Sequence, residues 1–554
     1  MFNDTYPGLD SVNNVKSGLL LLNKFNCRNM KYIELFSGCG GLSLGLEFIG
    51  GELLFANGLS PMASETFAYN LLGEDLSKLA ELGEAPKKTK WITSKHSVQE
   101  LDKRLRENLL EAPIYQESKG ELNKDMSLSD LEGNLLVGSI VELNRYLSNN
   151  KKLTNELCLS DIDLVSGGPP CQSFSLAGLR QRSNDRNTLP WEFAKFVGKV
   201  KPKFAVLENV TGILRAFSEG DKKYYAWFEV AKAFAEVGYV PLCLHVNAKY
   251  AGVAQNRPRF IMIAVRHELM GKLKSELTEL ECSLFESAEF IFKQVQSGNK
   301  CDVSQLRHFD AEKQNDLSLF QHTFLKDFVA YADDQHTVFH AIDGLRDSSK
   351  KSPYVRLINK TFELSSQRKG HKKEPANHEL RLNSPHVKKR FRVYQIIKQT
   401  SKETAKEVKQ ILKLSNETLT ESAYEELASY SFSDGNGGLI KFSNKSELEK
   451  LLISLATKKQ TQRALIAHKP APAALSIPDD ACHYDESELR TLTVREMARI
   501  QSFPDSFVFR SKVTTGGQMR RFEVPQYTQV GNAVPPLLGL AIGKVLNNLI
   551  KKLG

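Results

Sequence analysis

Residues 32–50 read YIELFSGCGGLSLGLEFIG: an apolar run, a glycine turn, then a second run with apolar residues at helical spacing. The opening five residues predict a strand and the stretch after Gly41 a helix. Gly38, Gly40 and Gly41 in the turn let the backbone approach a ligand closely, and the helix N-terminus behind them offers free N–H groups. A dinucleotide fold would carry G-x-G-x-x-G, but Ser43 stands at the third glycine position. The turn therefore suits an adenosyl ligand lying over the strand end better than a pyrophosphate. Taken alone it is also what an ordinary strand–helix junction looks like.

Outward from this turn the same alternation continues to about residue 266. Short apolar runs at ELLFAN (52–57), DLVS (163–166), FAVLE (204–208) and RFIMIAV (259–265) are separated by amphipathic stretches, which predicts an α/β fold on a largely parallel sheet. Residues 73–133, rich in Lys and Glu, read as a solvated insertion in that sheet domain. From about 267 to 485 the periodicity weakens and basic clusters appear, SQRKGHKK (366–373) and HVKKRFR (386–392). Order returns at LTVREMARIQSF (492–503), where Thr493 and Glu496 form a T-x-x-E capping box at the start of a helix. The last stretch, 536–553, is an amphipathic helix with a basic end that complements its dipole. The predicted organisation is an N-terminal extension (1–30), a sheet domain (31–266), a basic connecting module (267–485) and a segment returning to the sheet domain (486–554).

With 554 residues, 41% hydrophobic and 25% charged, the chain has the composition of a globular protein of two or more domains. No apolar run reaches the ~18 residues needed to cross a bilayer. GLLLL at 18–22 follows Asp4 and Asp10 and lacks the basic start of a signal peptide, so a cytoplasmic protein is expected. Eight scattered cysteines without a CxxC pair give neither a zinc site nor a disulfide framework, and no metal is expected. A net charge of +10, from 75 basic and 65 acidic residues, points mildly to a polyanionic partner.

One cysteine differs from the rest. In DLVSGGPPCQSFS (163–175) a buried strand ends in Gly167-Gly168-Pro169-Pro170, and two prolines fix φ immediately before Cys171. Most lone cysteines are small buried hydrophobes. Here the rigid turn and the flanking Gln172, Ser173 and Ser175 present the thiol to a polar cleft.

Together these stretches resemble the cytosine-C5 DNA methyltransferase family, and they do so in that family's linear order. FSGCGG (36–41), GGPPCQSFS (167–175), DRN (185–187), ENV (208–210), QNRPR (255–259), LTVREMARIQSFPDSF (492–507), PQYTQ (525–529) and QVGNAVPP (529–536) all fit, covering about 32–266 and 470–550. The resemblance implies a Rossmann-like sheet that binds S-adenosyl-L-methionine, with the intervening region as a smaller target-recognition domain on double-stranded DNA. It implies that Cys171 is the nucleophile that adds to C6 of a cytosine flipped out of the duplex. Glu208, at a strand end, would hydrogen-bond the ring at N3, its carboxyl kept neutral by a dry pocket. Arg257 and Arg259 would share one strand face, gripping the base carbonyl and a phosphate or holding the catalytic groups. Phe36, Gly38, Cys39, Gly40, Gly41, Ser139, Pro170 and Asn532 would line the cofactor side of the cleft. A restriction endonuclease acting separately on the same site would be the expected companion.

Two positions depart from the family. Its second strand usually ends Asn-Glu, with the acid on the cofactor ribose, and its Gly-Asp-Ile turn pairs an Asp with the adenine amine. This chain has Gly58 in FANGLSP (55–61) and Ser139 in VGSIVEL (137–143). Three other readings compete. An RNA-acting relative would tend to carry a Cys-Phe-Thr tripeptide, which is absent. A DNA-binding regulator without activity would explain the two missing acids, and a nicotinamide oxidoreductase is disfavoured by Ser43.

Overall fold

The computed structural model describes residues 30–170, 188–219, 222–346, 352–363, 375–459, 461–473 and 476–554. Nine strands form the central sheet: β1 Met30–Leu35, β2 Gly51–Gly58, β3 Thr89–Trp91, β4 Asn134–Val137, β5 Leu164–Gly167, β6 Phe204–Val210, β7 Tyr239–Asn247, β8 Pro258–Arg266 and β9 His308–Asp310. Their order is β9-β7-β8-β6-β5-β1-β2-β4-β3. β1 to β6 run parallel, and β8 alone is antiparallel to both its neighbours, β6 and β7. β4 and β5 are buried along their whole length, as strands covered on both faces of a parallel sheet are.

The helices that matter for the site are α1 Gly41–Phe48, α2 Pro61–Phe67, α3 Ile140–Asn149, α4 Leu189–Val200 and α5 Ala226–Glu236. Later come α6 Pro385–Ile396, α7 Lys402–Leu412, α8 Glu421–Ala428, α9 Lys445–Ser454, α10 Val494–Ile500, α11 Gln526–Asn532 and α12 Pro536–Lys552. α10 opens on the expected capping box: the Glu496 amide donates to Thr493 Oγ1 at 3.1 Å, and the Thr493 amide donates to Glu496 Oε2 at 2.8 Å. α12 lies on α1 so closely that a Cβ on Gly45 would stand 2.4 Å from the Leu540 amide nitrogen. α12 thus completes the layer that α1 begins. Among the described residues no single helix is long and apolar enough to cross a membrane.

The charged segment 73–133 is not a solvated insertion. It supplies β3, the edge strand beside β4, and buries Trp91, Ile92, Leu101 and Leu131 in the main core. Its charges are used internally. Glu74 accepts from the amides of Lys87 and Lys88, and Glu121 accepts from the Trp91 amide and from Arg104, whose guanidinium lies 5.2 Å from the Trp91 ring. Buried apolar side chains between positions 285 and 362, among them Phe285, Phe309, Phe328, Ile342 and Ile358, pack into this same core. A second, smaller core gathers α6 to α9 with Ala464 and Cys482. There the run 386–392 forms the first turns of α6, and its arginines turn inward. Arg390 and Arg392 are buried, the latter donating to the Ser431 carbonyl at 2.8 Å and pairing with Glu486 at 3.0 Å. The run 366–373 lies outside the described residues.

Candidate active site

In a parallel sheet the carboxyl ends of the strands share one rim, where open α/β folds place their ligands. Register aligns Leu35 with Asn57 and Gly167, Asn57 with Leu136, and Gly167 with Leu207. Phe36, Gly58, Ser139, Gly168 and Glu208 therefore emerge along a single edge. Because β8 is antiparallel, it begins where its neighbours end, so Arg257 and Arg259 reach the same rim. Periodicity in the sequence carries no information about strand direction.

On the first half of this rim the chain leaves β1 through a left-handed Phe36 (φ 54°), and the Ser37 amide donates to the Asn57 carbonyl at 2.9 Å. Gly38 (φ 53°) keeps open room: a Cβ there would have nothing closer than the Phe36 carbonyl at 4.0 Å. The next two glycines have a different cause from the one expected. A Cβ on Gly40 would meet Leu71 at 2.4 Å, and one on Gly41 would meet the Val534 carbonyl at 2.2 Å. Protein, not a ligand, makes the close approach at both. Cys39 is buried with its thiol on the Gln529 carbonyl, and burial pushes that thiol up to about 12. Only its backbone is left to face the turn.

The other half of the rim is polar and tied together. The Glu208 carboxylate stands over Gly168, where a Cβ would lie 3.0 Å from Oε2, and its Oε1 lies 2.6 Å from Arg259 Nε. Glu208 and Arg259 form a diagonal cross-strand pair: Arg259 faces Val210, two residues beyond Glu208 on the same side of β6. The pocket expected to keep Glu208 neutral thus holds a guanidinium against it. Asn209 donates to the Pro169 carbonyl at 3.1 Å and ties β6 to the turn before Cys171. Pro170, exposed, is the last described residue of that turn, and Cys171 itself lies outside the described residues.

Arg257 does not share this carboxylate. Its Nη2 donates to the carbonyls of Gly531 and Ala533 at 2.8 and 3.0 Å, clasping the backbone on both sides of Asn532. Asn532 is thereby held at the end of α11 with its side chain exposed. Burial, and then the neighbouring Arg259, push the Arg257 guanidinium well below its usual range, against which these carbonyl bonds hold it. Sequence reasoning missed Gln529, which bonds Thr66 at 2.6 Å and three backbone carbonyls. It also missed Asn247, which receives the Arg257 amide at 3.0 Å. Gln529 lies where the motifs PQYTQ and QVGNAVPP meet, which could have singled it out, whereas Asn247 sits in no pattern that separates it from a surface amide.

The two departures from the family have physical neighbours. Gly58 has ordinary extended backbone, and a Cβ on it would lie 3.0 Å from Ser37 Oγ and 3.6 Å from Ser64 Oγ. Both hydroxyls are buried without a hydrogen-bond partner, so unmet polar groups flank the place of the missing acid. Ser139 caps α3 and accepts from the Val141 amide at 3.2 Å. Glu34 is no substitute acid: it is buried below the turn, receives the Ser43 hydroxyl, and burial pushes its carboxyl up to about 8. The open turn at Gly38, the orphaned hydroxyls and the half-exposed Ser139 fit an adenosyl group held by neutral donors and acceptors.

A sheet of this order with an ion-paired carboxylate and a Pro-Pro turn on its rim fits an α/β methyltransferase, and a family match shows that class. The C-5 cytosine-specific DNA methylase family matches residues 30–90 and 144–548, so the chain belongs to that family. It is similar to Type II methyltransferase M.DdeI of Desulfomicrobium norvegicum, 26% identical over 395 residues, 70% of this chain and 73% of that one. Type II methyltransferase M1.HphI of Haemophilus parahaemolyticus is 23% identical over 523 residues, 94% of this chain and 87% of its own. Type II methyltransferase M.HindV of Haemophilus influenzae is 30% identical over 247 residues, 45% and 54%. The protein is a DNA cytosine methyltransferase with the Rossmann-like fold of enzymes that use S-adenosyl-L-methionine.

Proposed function

We propose that this chain methylates C5 of a cytosine flipped from a specific double-stranded DNA site, with Cys171 as nucleophile. The observation that carries this reading is the rim itself, where Glu208, paired with Arg259, stands over the turn that leads into Cys171. C5 of cytosine is too weakly nucleophilic to be methylated unaided. The Cys171 thiolate forms a bond to C6 and pushes the ring's electrons onto C5. Glu208, in its acid form, donates a hydrogen bond to N3 and so draws electron density from the ring as the thiolate adds, and Arg259 fixes the position of that carboxyl. S-adenosyl-L-methionine, when bound, supplies the methyl group as an electrophilic sulfonium carbon. Loss of the C5 proton to solvent then re-forms the C5–C6 double bond as the C6–S bond breaks, which releases the Cys171 thiolate. Gly38, Ser139, Pro170 and Asn532 hold the cofactor side of the cleft, while Arg257 acts on it through the backbone of 531–533. The Type II names of the relatives support a place in a cytoplasmic restriction-modification system, with a separate endonuclease on the same site.

The test is covalent trapping. A duplex carrying 5-fluorocytosine in its site has no C5 proton to lose, so an active thiolate stalls as a protein–DNA adduct when S-adenosyl-L-methionine is added. Sequencing of methylated DNA from expressing cells identifies the site to use. The adduct is expected with the unmodified protein and not with Cys171→Ser. Failure to trap in a duplex that the protein binds would sink the enzymatic reading in favour of a DNA-binding regulator.

A further inference from the structure

The second core leaves a cavity of about 280 Å³ where α6 and α7 end and the segment after α9 returns. Lys398, Lys409, Lys413, Thr461, Gln462 and Arg463 lie on its wall. They come from three separate stretches, so the sequence shows no basic run here. A fifth cation on the wall, Lys459, is neutralised by Asp479 at 2.8 Å. Among the described residues, Lys398, Lys409, Lys413 and Arg463 have no carboxylate partner. Lysines at helix C-termini complement the dipole, which accounts for each one singly. It does not account for four like charges converging on one hollow, where each raises the cost of the others. Half-buried Lys398 registers that cost: burial, then Lys409 and Arg463, push its ammonium below the usual range. Gln462, 6% exposed, has its carboxamide oxygen unbonded, and a half-turn of the amide would offer NH₂ donors instead.

We propose that this cavity is a phosphate-group site, in which an anion offsets the four unpaired cations. Its volume admits a phosphate together with the sugar or second phosphate attached to it. The phosphate comes from the backbone of bound DNA or from a free polyphosphate, and the two sources are separable by experiment. The site differs from the one sequence patterning suggests, because the arginines of the 386–392 run are turned inward.

Lys409 and Lys413 are exposed and belong to no catalytic or cofactor contact, so Lys409→Gln with Lys413→Gln should fold normally, as circular dichroism would verify. Pyrophosphate binding to the full chain is measured by calorimetry at fixed ionic strength, and duplex binding across a salt series. The double variant is expected to bind pyrophosphate at least tenfold more weakly, with affinity restored by Lys→Arg at the same positions. A slope of log K against log salt shallower by about 2 would place DNA phosphates in the cavity, since each contact contributes about −0.9. An unchanged slope with weakened pyrophosphate binding would place a free polyphosphate there. Unchanged pyrophosphate affinity together with an unchanged slope would overturn the proposal and leave the lysines as helix-end charges.

Discussion

At Glu208 one carboxyl is asked to meet two partners, the Arg259 guanidinium at 2.6 Å and, in the proposed reaction, the substrate ring. Glu208→Gln keeps the shape but loses the ion pair and the proton chemistry. Methyl transfer should fall by about 10²–10⁴-fold with little loss of duplex affinity, the range for removing one acid–base group. Arg259→Ala frees the carboxyl from its anchor, and single-turnover rates should fall by at least tenfold at unchanged cofactor affinity. If either change lowered DNA binding alone, the pair would be structural. Gly58 and Ser139 make the second residue-scale case. Extended backbone at 58 accepts a side chain, and the two orphaned hydroxyls beside it would donate to an acid there. Gly58→Glu with Ser139→Asp should therefore tighten S-adenosyl-L-methionine in calorimetry on the DNA-free protein, by at least tenfold, as one charge-assisted bond of ~1.5–3 kcal/mol implies. Unmodified protein that already binds as tightly as the double variant would show that neutral groups suffice.

Between elements, the contact of α1 with α12 is set by absent side chains. Gly45→Ala pushes a methyl into the Leu540 amide and should cost about 1–3 kcal/mol in urea unfolding, without touching the rim. Beneath the same helix, Glu34 predicts a pH dependence. Its folded carboxyl titrates near 8 because of burial, whereas the unfolded group titrates in the ordinary carboxylate range. Between those values the folded state holds the extra proton, so stability falls as pH rises from about 5 to 8. Glu34→Gln should flatten that decline, and equal slopes in both proteins would rule Glu34 out as its source. Although β4, β7 and β9 were not singled out, β1, β2, β5, β6, β8 and the cap of α10 were legible in the sequence for a physical reason: buried strands read as apolar runs, and Thr493-x-x-Glu496 is a local bond. β3 was not, because TKW is three residues among charges whose buried pairings, such as Arg104 with Glu121, are tertiary. The order of the site motifs was legible as well. Their bonding, including the separate duties of Arg257 and Arg259, depends on a strand direction that no periodicity encodes.

Over the whole molecule the described residues build two cores of unequal size, the larger from residues on both sides of the smaller. The strands β1, β2, β5, β6 and β8, whose ends carry the rim, contribute their buried side chains to the larger core. The smaller one, around Phe391, Val408, Leu427 and Leu452, has polar ties to the returning segment, such as Gln395 to the carbonyls of His483 and Asp485 at 3.0 and 2.7 Å. A smaller core buries a smaller share of its surface and is correspondingly less stable. Local opening therefore belongs to the module, while β1, β5 and β6, central in the sheet, open only with the whole. Native-state hydrogen exchange should show amides of α7 and α9 exchanging through an opening of lower free energy than amides of β1, β5 and β6, with the gap persisting in low denaturant. A duplex that contacts the module should raise the protection of α7 and α9 more than that of the strands. Equal opening free energies in both groups, with and without DNA, would mean that the two cores unfold as one, and that the module cannot adjust to the DNA independently of the sheet that carries the catalytic rim.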